Sequence, residues 1–230
     1  MQAFVNNAFL DRRRKYAKWG NYIGFGTLFV GLFTAARSPV LSSTLLLVGL
    51  VGASIGSYMA NRYIREPRAD QQLAHALDSL DKRYTLLSYY LPADQVVFSH
   101  RGFTVLETRS QEGLISYANG RWNHKAGFRK IMQLFGEPSL GSPHKDLAAL
   151  TASLREWVST LAVDGEVPVN GVVVFTGARA ELQIEGLSVP AVMASELANL
   201  FRNGFGDQAP LSTSQRREIE SKLDALVGKD

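Results

Sequence analysis

Two long stretches without a charged residue, almost touching, constrain this chain more than anything else in its sequence. Trp19–Ala36 is eighteen residues without Asp, Glu, Lys or Arg, and Val40–Ala60 is twenty-one. Only Arg37, Ser38 and Pro39 separate them. A helix needs about 20 apolar residues to cross a hydrocarbon layer of ~30 Å, so the second run is long enough and the first barely so. With so short a link, the arrangement that satisfies every backbone polar group in lipid is an antiparallel helical hairpin. The expected spans are 19–36 and 40–60 within a hairpin of residues 19–66.

Charge on the flanks sets the expected direction. Arg12, Arg13, Arg14, Lys15 and Lys18 precede the first run, Arg62, Arg65 and Arg68 follow the second, and the tip offers Arg37 alone. Cations favour the cytoplasmic side, which predicts a two-pass protein of the cell inner membrane with both termini cytoplasmic. Trp19, Tyr22, Tyr58 and Tyr63 lie near the same ends, where amphipathic rings favour the headgroup zone. A cleaved signal peptide fits poorly, because a second apolar run follows at once. Neither run holds an ionisable residue for a transport or proton path. Gly20 and Gly24, Gly49 and Ala53, and Gly52 and Gly56 repeat at small-xxx-small spacing, which lets helices approach closely. Those faces serve either packing of the hairpin on itself or docking of a second copy or membrane partner.

The overall charge of +4 conceals a division. Residues 1–68 hold nine Lys/Arg against two acids, whereas residues 69–230 hold sixteen against nineteen. The basic character therefore belongs to the anchor and is no argument for nucleic acid. With no cysteine, disulfides, thiolate zinc sites and thiol nucleophiles are excluded. Four scattered histidines make no His-rich metal centre.

The remainder reads as mixed α/β: a basic N-terminus over 1–18, an α/β domain over 67–205, and an amphipathic C-terminal helix within 206–230. Leu73, Leu77, Leu80, Tyr84 and Leu87 recur at helical spacing after Asp70. Gln95–Ser99 and Phe103–Thr108 are β-rich runs around a tight turn with Gly102. Leu114–Tyr117 is a third run, ending at the Asn119-Gly120 turn signal. Gly136–Pro143 is a loop, and Ser142-Pro143 opens a helix carrying Leu147, Leu150, Leu154, Trp157 and Leu161. Val172–Phe175 has the continuous apolar character of a strand buried on both faces. A helix over about 190–202 and the last, from Leu211, complete the order.

The stretch Asp94–Phe98, Arg101–Arg109, Gly113–Ile115 and Trp122 resembles the nuclease-related domain family, which is similar to the restriction-endonuclease-like PD-(D/E)XK fold. The resemblance covers roughly residues 70–180 and implies an αβββαβ core with a mixed sheet. Asp94 matches the Asp that opens the first strand, Gly102 the turn, and Glu107 the Glu of the family's Glu-x-Lys. Arg109 stands at the Lys position. Asp70 is the stand-in for an acidic residue in the first helix, and Lys145 or Asp146 occupies the neighbourhood of a later Gln. By that resemblance Asp94 and Glu107 would hold Mg²⁺ for phosphodiester cleavage, with Arg109 beside them. Two carboxylates at one sheet edge can hold such a hard cation, and the metal would activate a water. A guanidinium keeps its charge but cannot act as a base.

Two functions stand at this point: a degenerate module that binds nucleic acid or a protein partner at the membrane, or an active Mg²⁺-dependent nuclease. An accessory subunit of a membrane complex is a variant of the first. Arg101, Arg121, Lys125, Arg129 and Lys130 form the candidate phosphate-facing set. Blander readings sit beside each residue. Asp94 can be a turn residue after Pro92, Glu107 and Arg109 a solvated ion pair, and Trp122 a core side chain. His100 and His124 read as surface side chains near turns.

Overall fold

A computed structural model describes residues 1–125, 139–205 and 209–228; Arg129, Lys130 and residues 136–138 of the expected loop lie outside them. The chain divides into two compact units, one centred on residues 8–68 and the other on 1–7, 69–126 and 140–230.

The first unit is a pair of helices, α1 (Asn7–Thr34) and α2 (Pro39–Tyr63). Pro39 sits at the start of α2, where its missing N–H costs nothing. The small residues face each other across the pair. A Cβ on Gly20 would lie 3.3 Å from the Cα of Gly56, one on Gly49 would lie 2.7 Å from the Leu28 nitrogen, and one on Gly24 would strike the Ala53 backbone. Gly52 faces Gly24 at van der Waals range, and Ala53 is buried. The Ser42 hydroxyl donates to the Gly31 carbonyl at 2.7 Å, closing the tip end of the pair. Large side chains point the other way: among the described residues, the exposed large apolar ones all fall between Tyr16 and Tyr58, including Phe25, Phe29, Phe33, Leu47 and Val51.

By length and composition one helix, Pro39–Tyr63, with mean hydropathy 1.8, can cross a membrane. The expectation of two such spans is therefore met by composition in α2 alone. α1 begins at Asn7, twelve residues ahead of Trp19, and takes the basic run into the same helix. It stops at Thr34, so its charge-free part is sixteen residues, about 24 Å.

The second unit is mixed α/β, and its sheet starts at the first residues of the chain. β1 (Gln2–Val5) pairs in parallel with β2 (Thr85–Ser88), with Ala3 opposite Leu86. The Gln2 nitrogen donates to the Tyr84 carbonyl and the Asn6 nitrogen to the Ser88 carbonyl. The chain thus leaves the sheet after Asn6, makes the helical pair, and returns through α3 (Ala69–Leu77). β3 (Gln95–Ser99) and β4 (Gly102–Arg109) follow as an antiparallel hairpin. β5 (Gly113–Ala118) and β6 (Arg121–Lys125) form a second hairpin, then α4 (Pro143–Ser159), β7 (Val169–Phe175), β8 (Ala180–Ile184), β9 (Ala191–Met193), α5 (Ala194–Arg202) and α6 (Thr213–Val227). One sheet runs β1-β2-β3-β4-β7-β9 and the other β6-β5-β8. β4 and β7 are parallel along seven paired positions.

Alternation along these strands makes two cores. Val96, Phe98, Phe103, Val105, Val173 and Phe175 pack with Leu147 and Leu154 of α4 and Ile219 and Leu223 of α6. Leu86, Val97, Leu106, Val172 and Val174 pack with Leu73 and Leu77 of α3 and Leu197 and Phe201 of α5. Val172–Phe175 is buried throughout, as a strand covered on both faces must be.

Two expectations are corrected. The helix expected through Leu87 ends at Leu77, and Tyr84 and Leu87 belong to the approach to β2 and to β2 itself. The helix expected from about 190 begins at Ala194, after β9. Within the basic N-terminus, β1 is an edge strand that no expectation covered. At the turns, Gly102 has φ of 102°, and Asn119 and Gly120 have φ of 53° and 76°, the left-handed pair that a two-residue hairpin needs.

The glycine packing yields a paired test. Gly24→Leu, in full-length protein in detergent, is expected to lose about 1–3 kcal/mol or more of helix-pair stability through overpacking. Gly26→Leu, where a Cβ meets nothing within 4 Å, is expected to leave it unchanged. Denaturant resistance of the two variants checks this; equal effects would contradict the packing.

Candidate functional site

The β3–β4 pairing places Val96 opposite Val105 and Ser99 opposite Gly102, joined by the two-residue turn His100-Arg101. Asp94 lies two positions before Val96 and Glu107 two after Val105. The same register therefore carries both carboxylates to the end of the hairpin away from the turn. Asp94 is half-buried, and its carbonyl accepts from the Tyr89 nitrogen at 2.7 Å, closing the link between β2 and β3. Glu107 is 7% exposed on the face that meets α4.

Arg109, two residues further along that face, occupies this end. Its Nη1 donates to Glu107 Oε1, and its Nη2 donates to Asp146 Oδ2 in the first turn of α4. Its Nε donates to the Leu140 carbonyl at 3.2 Å, and Nη1 also reaches the Thr108 carbonyl at 3.2 Å. The side chains of Arg109 and Glu107 are 14% and 10% exposed, so the pair is buried. The expectation of a solvated pair is corrected: β4 is a central strand, and α4 covers its end. Asp146 is 53% exposed and sits where a carboxylate also favours the helix N-terminus.

Of the residues singled out, the structure joins Glu107, Arg109 and Asp146. Lys145 is exposed beside them. Asp70 is buried on α3, whose Leu73 and Leu77 enter the opposite core, and its carboxylate receives the Tyr89 hydroxyl at 3.5 Å. A divalent cation needs oxygen ligands and open positions, yet a fixed guanidinium engages the Glu107 carboxylate. Among the described residues no three of His, Asp or Glu are grouped to hold a metal. Arg109 therefore takes the Glu107 oxygen that a cation there would need.

The expected basic set is also divided. Arg121 and Lys125 are exposed on β6, an outer strand of the smaller sheet. Arg101 is at the β3–β4 turn, its Nη1 donating to the Gly204 carbonyl at 3.1 Å. Trp122 is half-buried against the core, stacked near Tyr117 and Phe175, and its Nε1 donates to His144 Nδ1 at 2.8 Å. His124 Nε2 is 2.8 Å from the Glu112 carbonyl.

Sequence reasoning missed a cavity of about 330 Å³ at the turn end of the hairpin. Its described walls include Ser79, Asp81, Arg83 and Tyr84 before β2, His100 and Arg101 at the turn, and Phe201, Arg202 and Gly204 at the end of α5. Nothing in the local sequence links these three segments. Burial lowers the pKa of the His100 imidazole, and Arg83, Arg101 and Arg216 lower it further, while Asp81 opposes them. The hydrogen bond from Arg83 holds the Asp81 carboxyl below its usual range. No family model, curated protein or solved structure matches the chain.

Two tests follow from these groups. Arg109→Met strands a buried carboxylate and is expected to cost about 3–5 kcal/mol. Adding Glu107→Gln is expected to restore much of it, measured by denaturant unfolding; additive losses would contradict a coupled pair. His100 prefers its neutral form when folded, so its contribution to stability is full above its unfolded value near 6.5 and declines as pH falls below that. The stability difference between wild type and His100→Gln is expected to move against wild type from pH 7.5 to pH 5. A pH-independent difference would contradict the burial of the ring.

Proposed function

We propose that this chain is a membrane-anchored, non-catalytic binding module. The helical pair sits in the bilayer, and a nuclease-related α/β domain on the cytoplasmic side engages a partner rather than cutting a phosphodiester. The observation that carries the non-catalytic reading is Arg109, whose guanidinium bridges Glu107, one of the two carboxylates expected to hold a metal, to Asp146.

The anchor is supported by the apolar girdle of α1 and α2 and by parity. Contiguous exposed apolar surface of this extent marks a membrane or protein interface. β1 and β2 belong to one sheet, so the chain between them crosses any membrane an even number of times. α2 is about 37 Å long; if it crosses, α1 crosses too. The short apolar part of α1 spans by letting Lys15 and Lys18 reach the headgroups along their stems. The order α3-β2-β3-β4-α4-β7, with β5 and β6 set apart in the smaller sheet, supports the αβββαβ core.

A cleavage and fractionation experiment tests both halves. The full chain, purified in detergent, is expected to leave labelled single- and double-stranded DNA and RNA intact with Mg²⁺ or Mn²⁺. It is expected to remain in the membrane pellet after alkaline carbonate washing. Metal-dependent cleavage abolished by Asp94→Asn or Glu107→Gln would overturn the first half, and release by carbonate the second.

A further inference from the structure

The cavity at the β3–β4 turn stands apart from the Arg109 clamp, separated from it by five residues of β4, about 17 Å. Three guanidiniums and one imidazole reach it from three separate segments, and Asp81 is the one carboxylate among its described lining residues. Each guanidinium is held in direction. Arg83 donates through Nε and Nη2 to Asp81 at 2.8 and 2.5 Å. Arg101 is held by the Gly204 carbonyl, and Arg202 by the Ser79 carbonyl at 3.0 Å and Asn199 Oδ1 at 3.1 Å. Capping a carbonyl uses one of five N–H donors on a guanidinium, and it does not require three such groups around one cavity. The Nδ1 atom of His100 is buried with no hydrogen-bond partner. The His100 ring thus stands at the cavity wall with unused hydrogen-bonding capacity.

We propose that this cavity binds the phosphate monoester group of a small molecule. Such a group carries a charge of about −1.5 to −2 at neutral pH and offers three strong acceptor oxygens. Guanidinium N–H groups donate strong, charge-assisted hydrogen bonds to such oxygens. Because the arginines are already oriented, little side-chain freedom is lost on binding. Tyr84 and Phe201, their rings 5.7 Å apart, give the wall an apolar part for the remainder of the ligand. The ligand class goes beyond the binding-module reading and rests on it only in taking the domain to bind rather than cut. Cleavage activity would remove that reading and leave the cavity's affinity to be measured independently.

Isothermal titration of the full chain in detergent micelles with inorganic phosphate and with adenosine 5′-monophosphate tests it. Saturable binding is expected for both, weakened at least tenfold in the Arg83→Gln/Arg202→Gln variant and unchanged in Arg179→Gln, whose partner Glu112 lies outside the cavity lining. Asp81→Asn removes the lining negative charge while its amide oxygen can still accept from Arg83, and it is expected to tighten binding several-fold, so a misfolded arginine variant does not decide the matter. Phosphatidate added to the micelles separates the sources: competition with phosphate assigns a lipid headgroup, and its failure assigns a free ester. Absence of saturable binding of all three probes, or affinities unaltered in both the arginine and the Asp81 variants, overturns the proposal.

Discussion

The pairing of β1 with β2 is the constraint on which the arrangement of this chain depends. Four residues at the start of the sequence are tied by a parallel ladder to a strand more than eighty residues later. Everything between them except α3 and its link to β2 is the helical pair, an excursion that starts and ends at one sheet. The hydrophobic effect alone would let the apolar helices adopt several topologies. The ladder removes those in which the two ends of the excursion lie on opposite sides of a bilayer. In the proposed anchor, the eight flanking cations and the single arginine at the tip would choose which side.

On a central strand of the same sheet, charge is used for structure. A largely buried guanidinium touching two carboxylates and two main-chain carbonyls is costly to desolvate, and removing a carboxylate partner is costlier still. That asymmetry makes Arg109 a fastener between β4 and the first turn of α4. A lysine could offer one point of charge there, but not the planar fork that reaches Glu107, Asp146 and Leu140 together.

Much of this was legible in local residue patterns, because the signals were local. The β3–β4 hairpin, the buried Val172–Phe175 strand and the helix after Ser142-Pro143 follow from turn chemistry and periodicity. β2 was hidden because Leu80, Tyr84 and Leu87 fit a helical period, whereas the partners that make Thr85–Ser88 a strand lie in β1 and β3. β1 itself carries no signal apart from that long-range pairing. The site was half legible: the spacing brought Glu107 and Arg109 to one strand face, but burial by α4 and the reach to Asp146 are tertiary facts. The arginine cavity was illegible for the same reason, since its walls converge from three distant segments.

Because the chain has no cysteine, single-cysteine labelling reads its topology without background. Cysteines placed singly at Gln2, Ser38 and Asn123 in intact inverted and right-side-out vesicles would be exposed to a membrane-impermeant maleimide. The expected result is reaction of positions 2 and 123 from the cytoplasmic side and of position 38 from the opposite side. Reaction of position 38 from the same side as position 123, or of positions 2 and 123 from opposite sides, would contradict a membrane hairpin closed by the β1–β2 ladder.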